Sequence, residues 1–217
     1  MISTGINKLD GLLGGGIRGG MITDIFGATG TGKTHLTMQI SINSLIGGGQ
    51  VLFLDTTGQF RPERMLELIK IRNLDSNLLD RVKVARITNS SEQIKFLEKI
   101  KQNGFSLVVI DNVTDLFSFE YKNEDQNLEK NVTFMQYMHE LSLIAIEKKI
   151  PIIITNIIRK IDDLEIENMD KAISIFTHLK IKLLKKGTKY SCEILPSFNK
   201  KKEFSYQISK EGLIESS

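Results

Sequence analysis

Apolar and polar positions along the chain alternate between two periods. Met21–Phe26, Val51–Asp55, Val82–Ile87, Leu107–Asp111 and Pro151–Thr155 are short, nearly continuous apolar runs. Their length and their β-branched and aromatic content read as strands. Between them, Thr34–Leu45, Pro62 to about Arg72, Ser90 to about Asn103 and Asn127–Lys149 carry helical spacing. Pro62 suits a first helical turn. Ser90 and Gln93 stand at capping-box spacing, and Gly104 is the expected stop. Strands without polar alternation belong to parallel sheets covered on both faces, and strands alternating with crossover helices build such sheets. The last third differs. His178–Leu184, Lys189–Leu195 and Glu203–Ile208 are short runs joined by turns, which predicts an antiparallel extension. Asn156–Ile173 reads as a loop with a short helix, and Glu211–Ser217 as a mobile tail. The expected fold is α/β, with a mainly parallel twisted sheet, helices on both faces and antiparallel C-terminal strands. With no internal repeat or Pro-rich linker, residues 1–217 read as one domain.

Composition narrows the class without naming a function. Apolar residues at 41% and charged residues at 25% are ordinary for a globular domain, which excludes disordered and collagen-like chains. The best candidate membrane span, Leu143–Thr155, is broken by Glu147, Lys148 and Lys149. The N-terminus has no basic region followed by an apolar block, so no secretory leader is expected. The single cysteine, Cys192, cannot form an internal disulfide, reads as structural, and fits a reducing cytoplasm. A net charge of +3 says little, but its distribution says more. Lys180–Lys202 holds eight lysines against Glu193 alone, and Asp115–Glu129 holds five acids against Lys122 alone.

The sharpest chemical signal is GATGTGKT, comprising Gly27, Ala28, Thr29, Gly30, Thr31, Gly32, Lys33 and Thr34. It satisfies G-x-x-x-x-G-K-[ST] between a strand and a helix. Such glycines let the backbone curl until successive N–H groups point into one cavity, and the helix that follows adds its N-terminal dipole. Lys33 would reach the β- and γ-phosphates, and Thr34 would place its hydroxyl on Mg²⁺. The partner signal is LVVID, whose Asp111 ends a buried strand where such sheets bind ligands and would also serve Mg²⁺. ATP with Mg is therefore the expected ligand pair. His35, next in line, reads as a helix residue near the nucleotide.

Ile2–Thr34, with its S-T-G-x-x-x-L-D-x-L-L-G-G-G signature, resembles the opening of the RecA/RadA recombinase core, a signature shared with KaiC-type ATPases. DTTGQFRPERM, Asp55–Met65, resembles the D-T-E-x-x-F-R-P-E-R segment of archaeal RadA and its relatives. FSFEY, Phe117–Tyr121, and ITN, Ile154–Asn156, are similar to their F-R-A-E-Y and T-N-Q motifs. The chain starts at the ATPase core, without a helical N-terminal DNA-binding domain, which resembles the short archaeal RadB-type paralogues. The resemblance implies a RecA-like P-loop NTPase core in which Arg64 stacks on adenine. It also implies a site completed by a neighbouring protomer, so a homo- or hetero-oligomer.

Three departures alter what the resemblance implies. The family's catalytic glutamate falls at Thr57, whose hydroxyl can orient water but cannot take its proton at neutral pH. Hydrolysis is therefore expected to be slow or absent, unless Asp55 or Glu63 substitutes. The family's γ-phosphate-sensing glutamine falls at Ile157. The segments matching the DNA loops are acidic, with Glu124, Asp125 and Glu129 in one and Asp162, Asp163, Glu165, Glu167 and Asp170 in the other. Carboxylates repel a phosphate backbone. The alternative contact for single-stranded DNA, or for an acidic protein, is the lysine set Lys180, Lys182, Lys185, Lys186, Lys189, Lys200, Lys201 and Lys202. The leading expectation is an ATP-binding recombinase paralogue in DNA repair and homologous recombination. It would modulate a full-length recombinase partner. The alternatives are a KaiC-like signalling ATPase or a non-hydrolysing nucleotide-dependent scaffold acting on proteins.

Overall fold

The computed structural model describes residues 1–161, 164–195 and 202–216. A helix α1 (Asn7–Leu13) precedes strand β1 (Ile22–Gly27) and helix α2 (Lys33–Ile46). Then come β2 (Val51–Asp55), α3 (Pro62–Ile71), β3 (Val82–Arg86), α4 (Ser90–Gln102), β4 (Leu107–Asp111) and α5 (Asp115–Glu120). The long α6 (Asn127–Lys148) leads into β5 (Ile152–Ile161), β6 (Leu164–Glu167) and α7 (Asp170–Phe176). The chain finishes with β7 (Thr177–Lys186), β8 (Lys189–Leu195), β9 (Lys202–Ser209) and β10 (Gly212–Glu215).

The sheet order is β10-β9-β8-β7-β1-β5-β4-β2-β3, with β6 paired to β5. The six strands from β7 to β3 in that order are mutually parallel, while β7-β8, β8-β9, β9-β10 and β5-β6 are antiparallel. The two-residue period of each strand divides its side chains between two cores. Ile25, Phe53, Val109, Ile153 and Ile181 join the core under α1, α2 and α3. Leu52, Leu54, Val108, Ile110, Ile152 and Ile154 join the core under α4–α7. Each fully buried Ile or Leu contributes about 1.5–3 kcal/mol, which favours apolar residues along these strands. Among the described residues no helix is long and apolar enough to cross a membrane.

Four local expectations change. The cap of α4 is Asn89, whose side chain accepts from the Glu92 amide at 2.8 Å. Ser90 instead gives its amide and hydroxyl to Glu120, and Gln93 is buried and donates to Val113 O. In the described part of Asn156–Ile173 the expected short helix is α7, but the loop is replaced by strands: β5 continues to Ile161 and pairs with β6 from Ile158↔Glu167. Glu211–Ser217 is not a tail over its described part. Gly212–Glu215 pairs with β9, Leu213 is buried, and Gln39 brackets Leu213 by accepting from its amide at 2.9 Å and donating to its carbonyl. β7 runs past the expected Leu184 to Lys186, which confines the turn into β8 to Gly187 and Thr188.

Candidate functional site

Parallel strands align their carboxyl ends, and there the sheet collects the chemistry. Gly27 ends β1 between Ile157 of β5 and Leu183 of β7. Asp55 and Asp111 end the neighbouring strands β2 and β4 in register. A Cβ at Gly27 would stand 2.2 Å from the Leu183 carbonyl oxygen, so the loop can leave the strand only from a glycine. Gly32 caps α2 in the left-handed region at φ 92, which a glycine adopts without strain.

The loop borders a cleft of about 700 Å³ lined by Lys33, Thr34, His35, Thr57, Asp111 and Ile157 among others. Thr34 donates its hydroxyl to Asp111 Oδ2 at 2.7 Å, and the buried Thr155 donates to the other carboxylate oxygen. Burial pushes the Asp111 pKa up, while these two hydrogen bonds and Lys33 act against that rise. Lys33 folds back onto the carbonyls of Gly27 and Ala28, at 2.9 and 3.0 Å. Burial lowers its pKa, with Asp111 opposing. An ammonium held by carbonyls it can exchange for phosphate oxygens, beside a hydroxyl and a carboxylate, is a donor set suited to an anion with a hard divalent cation.

Asp55 is fully employed. Its Oδ1 accepts from the amides of Thr57, Gly58 and Gln59 and from the Thr57 hydroxyl, and its Oδ2 accepts from the Phe60 amide at 3.1 Å. Both carboxylate oxygens of Asp55 are thus occupied by the loop it shapes. Glu63, in the first turn of α3, does not line the cleft. Thr57 does.

Arg64 is placed otherwise than expected. Its guanidinium donates to the carbonyls of Ser209 and Lys210 at 3.1 and 3.2 Å, pairs with Glu67, and meets His35 Nε2 at 3.1 Å. It thus ties α3 to the β9–β10 turn and does not line the cleft. His35 does line it, and burial followed by Arg64 and Arg72 pushes its pKa down to about 4, so it is neutral.

The lysine set divides. Lys180 is 8% exposed and is not a surface contact. Its ammonium lies 2.6 Å from Asp170 Oδ1 and 3.6 Å from Asp24 Oδ2, and pairs with Glu167. Its strand neighbour Lys182 is half-buried, while Lys185, Lys186, Lys189 and Lys202 are exposed. Lys200 and Lys201 lie outside the described residues, as do Asp162 and Asp163. Sequence reasoning missed Gln59, Arg86, Asn112, Asp115, Thr155 and Ile208, all of which line the cleft. Asn112 and Asp115 follow the strand-end Asp111, and Thr155 lies inside the ITN motif, so proximity to those motifs was the available signal.

The Rad51 family model matches residues 1–216. The chain is 36% identical over 168 residues to the DNA repair and recombination protein RadA of Cenarchaeum symbiosum, covering 72% of this chain and 42% of that protein. RadA of Metallosphaera sedula is 34% identical over 167 residues, 71% of this chain and 52% of that protein. The DNA repair and recombination protein RadB of Thermococcus sibiricus is 34% identical over 160 residues, 72% of this chain and 67% of that protein. The chain thus spans about half the length of the two RadA relatives. Matched along nearly its whole length and built on the expected RecA-like core, the chain belongs to the Rad51 family.

Proposed function

We propose that residues 1–217 form one ATPase core that binds ATP with Mg²⁺, hydrolyses it slowly or not at all, and serves DNA repair and recombination by modulating a full-length recombinase. The observation that carries the nucleotide reading is the Thr34–Asp111 hydrogen bond at 2.7 Å beside a complete phosphate loop. Backbone amides of Gly27–Thr34 would cradle the phosphates, Lys33 would exchange its carbonyls for them, and Thr34 and Asp111 would hold Mg²⁺. Mg²⁺ supplies charge neutralisation to the transferring phosphoryl group when bound. Thr57 stands where a proton acceptor is needed, and Asp55 is saturated, so water lacks a base. The relatives named for DNA repair and recombination support the biological setting.

Single-stranded DNA would meet the exposed lysines of the β7–β8–β9 strands, Lys185, Lys186, Lys189 and Lys202. Lys182 is half-buried on β7, and Lys180 takes no part in the contact. The acidic run Asp115–Glu129 favours a second reading, a nucleotide-dependent scaffold acting on a protein partner. Phosphate release with Mg-ATP tests the hydrolysis claim. Turnover indistinguishable from background is expected, and a rate comparable to an active RadA overturns it. Fluorescence anisotropy with single-stranded DNA, with and without Mg-ATP, separates the two readings. ATP-strengthened binding supports the recombinase paralogue, and no binding in either condition favours the scaffold.

A further inference from the structure

The C-terminal hairpin of β9 and β10 packs directly against the phosphate loop. A Cβ on Gly32 would stand 3.1 and 3.2 Å from the terminal methyls of Ile208 and Leu213. Tyr206 is 1% exposed and donates its hydroxyl to the Thr31 carbonyl at 2.6 Å. Its ring lies against Tyr190, with centroids 5.5 Å apart.

A loop that turns its N–H groups into a cavity turns carbonyls the opposite way, and buried carbonyls need donors. Side chains supply several here. Lys33 serves Gly27 O and Ala28 O, and the Thr31 hydroxyl serves Ala28 O at 2.9 Å. Those donors belong to the loop itself, and Lys33 is the side chain that must leave when phosphate arrives. The donor on Thr31 O comes from a distant strand and need not move. A peptide unit is planar and trans, so its carbonyl and N–H point in opposite directions. Fixing Thr31 O therefore fixes the Gly32 N–H on the opposite side of the same peptide unit, and Gly32 lines the cleft.

We propose that Tyr206 is a positioning residue of the nucleotide site, its hydroxyl holding the Thr31–Gly32 peptide so that the Gly32 amide is presented to phosphate. The proposal rests on the Mg-nucleotide reading above and adds to it a residue from the far end of the chain. Nothing in the G-x-x-x-x-G-K-[ST] pattern points to Tyr206.

The test compares the intact wild-type chain with Tyr206→Phe and with Tyr190→Phe, which removes a hydroxyl outside the loop. The readouts are the dissociation constant of a fluorescent ADP with Mg²⁺, the ³¹P resonance of the bound ADP β-phosphate, and the thermal midpoint without nucleotide. Tyr206→Phe is expected to weaken ADP about two- to tenfold, the scale of one hydrogen bond, and to move the β-phosphate resonance. Tyr190→Phe is expected to do neither. A Tyr206→Phe protein that melts earlier but binds ADP with unchanged affinity and resonance overturns the proposal, since a merely structural tyrosine behaves so. Wild type that binds no nucleotide overturns the reading of the site and this proposal with it. Wild type that binds, with Tyr206→Phe equal to it, overturns the proposal alone. If Tyr206→Phe does not fold, 3-fluorotyrosine at position 206 keeps the ring and strengthens the donor. A shifted β-phosphate resonance then supports the proposal, and an unshifted one refutes it.

Discussion

Replacing Lys180 by methionine separates a structural lysine from a DNA-binding one. Its ammonium is shared by Asp24, Glu167 and Asp170, which join β1, β6 and α7 to β7. Lys180→Met keeps most of the stem and removes the charge. Removing one partner of a buried ion pair costs about 3–5 kcal/mol. Two of the carboxylates soften that figure. Asp170 is half exposed and returns to water, and burial and Glu167 raise the Asp24 pKa, which disfavours its charged form. Glu167, whose side chain is 3% exposed, keeps the penalty. The expected loss is therefore near the lower limit, about 3 kcal/mol, or roughly 6–12 °C in thermal midpoint for a chain of this size. Thermal and urea unfolding at pH 7 measure it, and adding Glu167→Gln should recover about half of the loss by removing the stranded charge. A midpoint shift under about 2 °C, with DNA affinity reduced instead, would refute the buried-cluster account.

Three further outcomes are expected. Asp24 has a folded pKa well above its ordinary 3.8, so the native state holds that proton more tightly than the unfolded chain. The stability it contributes is complete below 3.8 and is lost as pH rises through the raised value. Wild type should therefore lose thermal midpoint relative to Asp24→Asn as pH rises above 3.8, and parallel profiles would contradict this. Thr155→Val removes a hydrogen bond to Asp111 and should raise several-fold the Mg²⁺ concentration needed for nucleotide binding, as read by titration of the cation. Arg64→Ala frees the Ser209 and Lys210 carbonyls and should destabilise the chain by about 1–3 kcal/mol. It should weaken nucleotide less than Lys33→Ala does. A larger nucleotide loss would restore the adenine-stacking role.

What the sequence disclosed followed from how local each signal is. The strands Val51–Asp55 and Leu107–Asp111 were read to the residue, because burial on both faces leaves an unbroken apolar run. The phosphate loop was legible because its glycines answer to backbone geometry within a few residues. The β5–β6 hairpin was not, since Arg159, Glu165 and Glu167 break the apolar pattern. Glu167 is polar because it meets Lys180 and accepts from Asn156 at 2.7 Å, not because it faces water. Lys180 was misread for the same reason: alternation with Lys182 predicts one strand face, but not the carboxylates buried against it. The roles of Arg64 and Tyr206 depend on partners 145 and 175 residues away, which no local pattern encodes.

The central claim is that the Gly27–Thr34 loop holds a magnesium nucleotide. Calorimetric titration of ATP into wild type and Lys33→Ala, each with Mg²⁺ and with chelator, tests it most directly. The account predicts one saturable site in wild type that depends on Mg²⁺. Lys33→Ala should weaken it about ten- to a hundredfold, the worth of one charge-assisted hydrogen-bonding group. An absence of binding, or binding indifferent to both Mg²⁺ and Lys33, would contradict it.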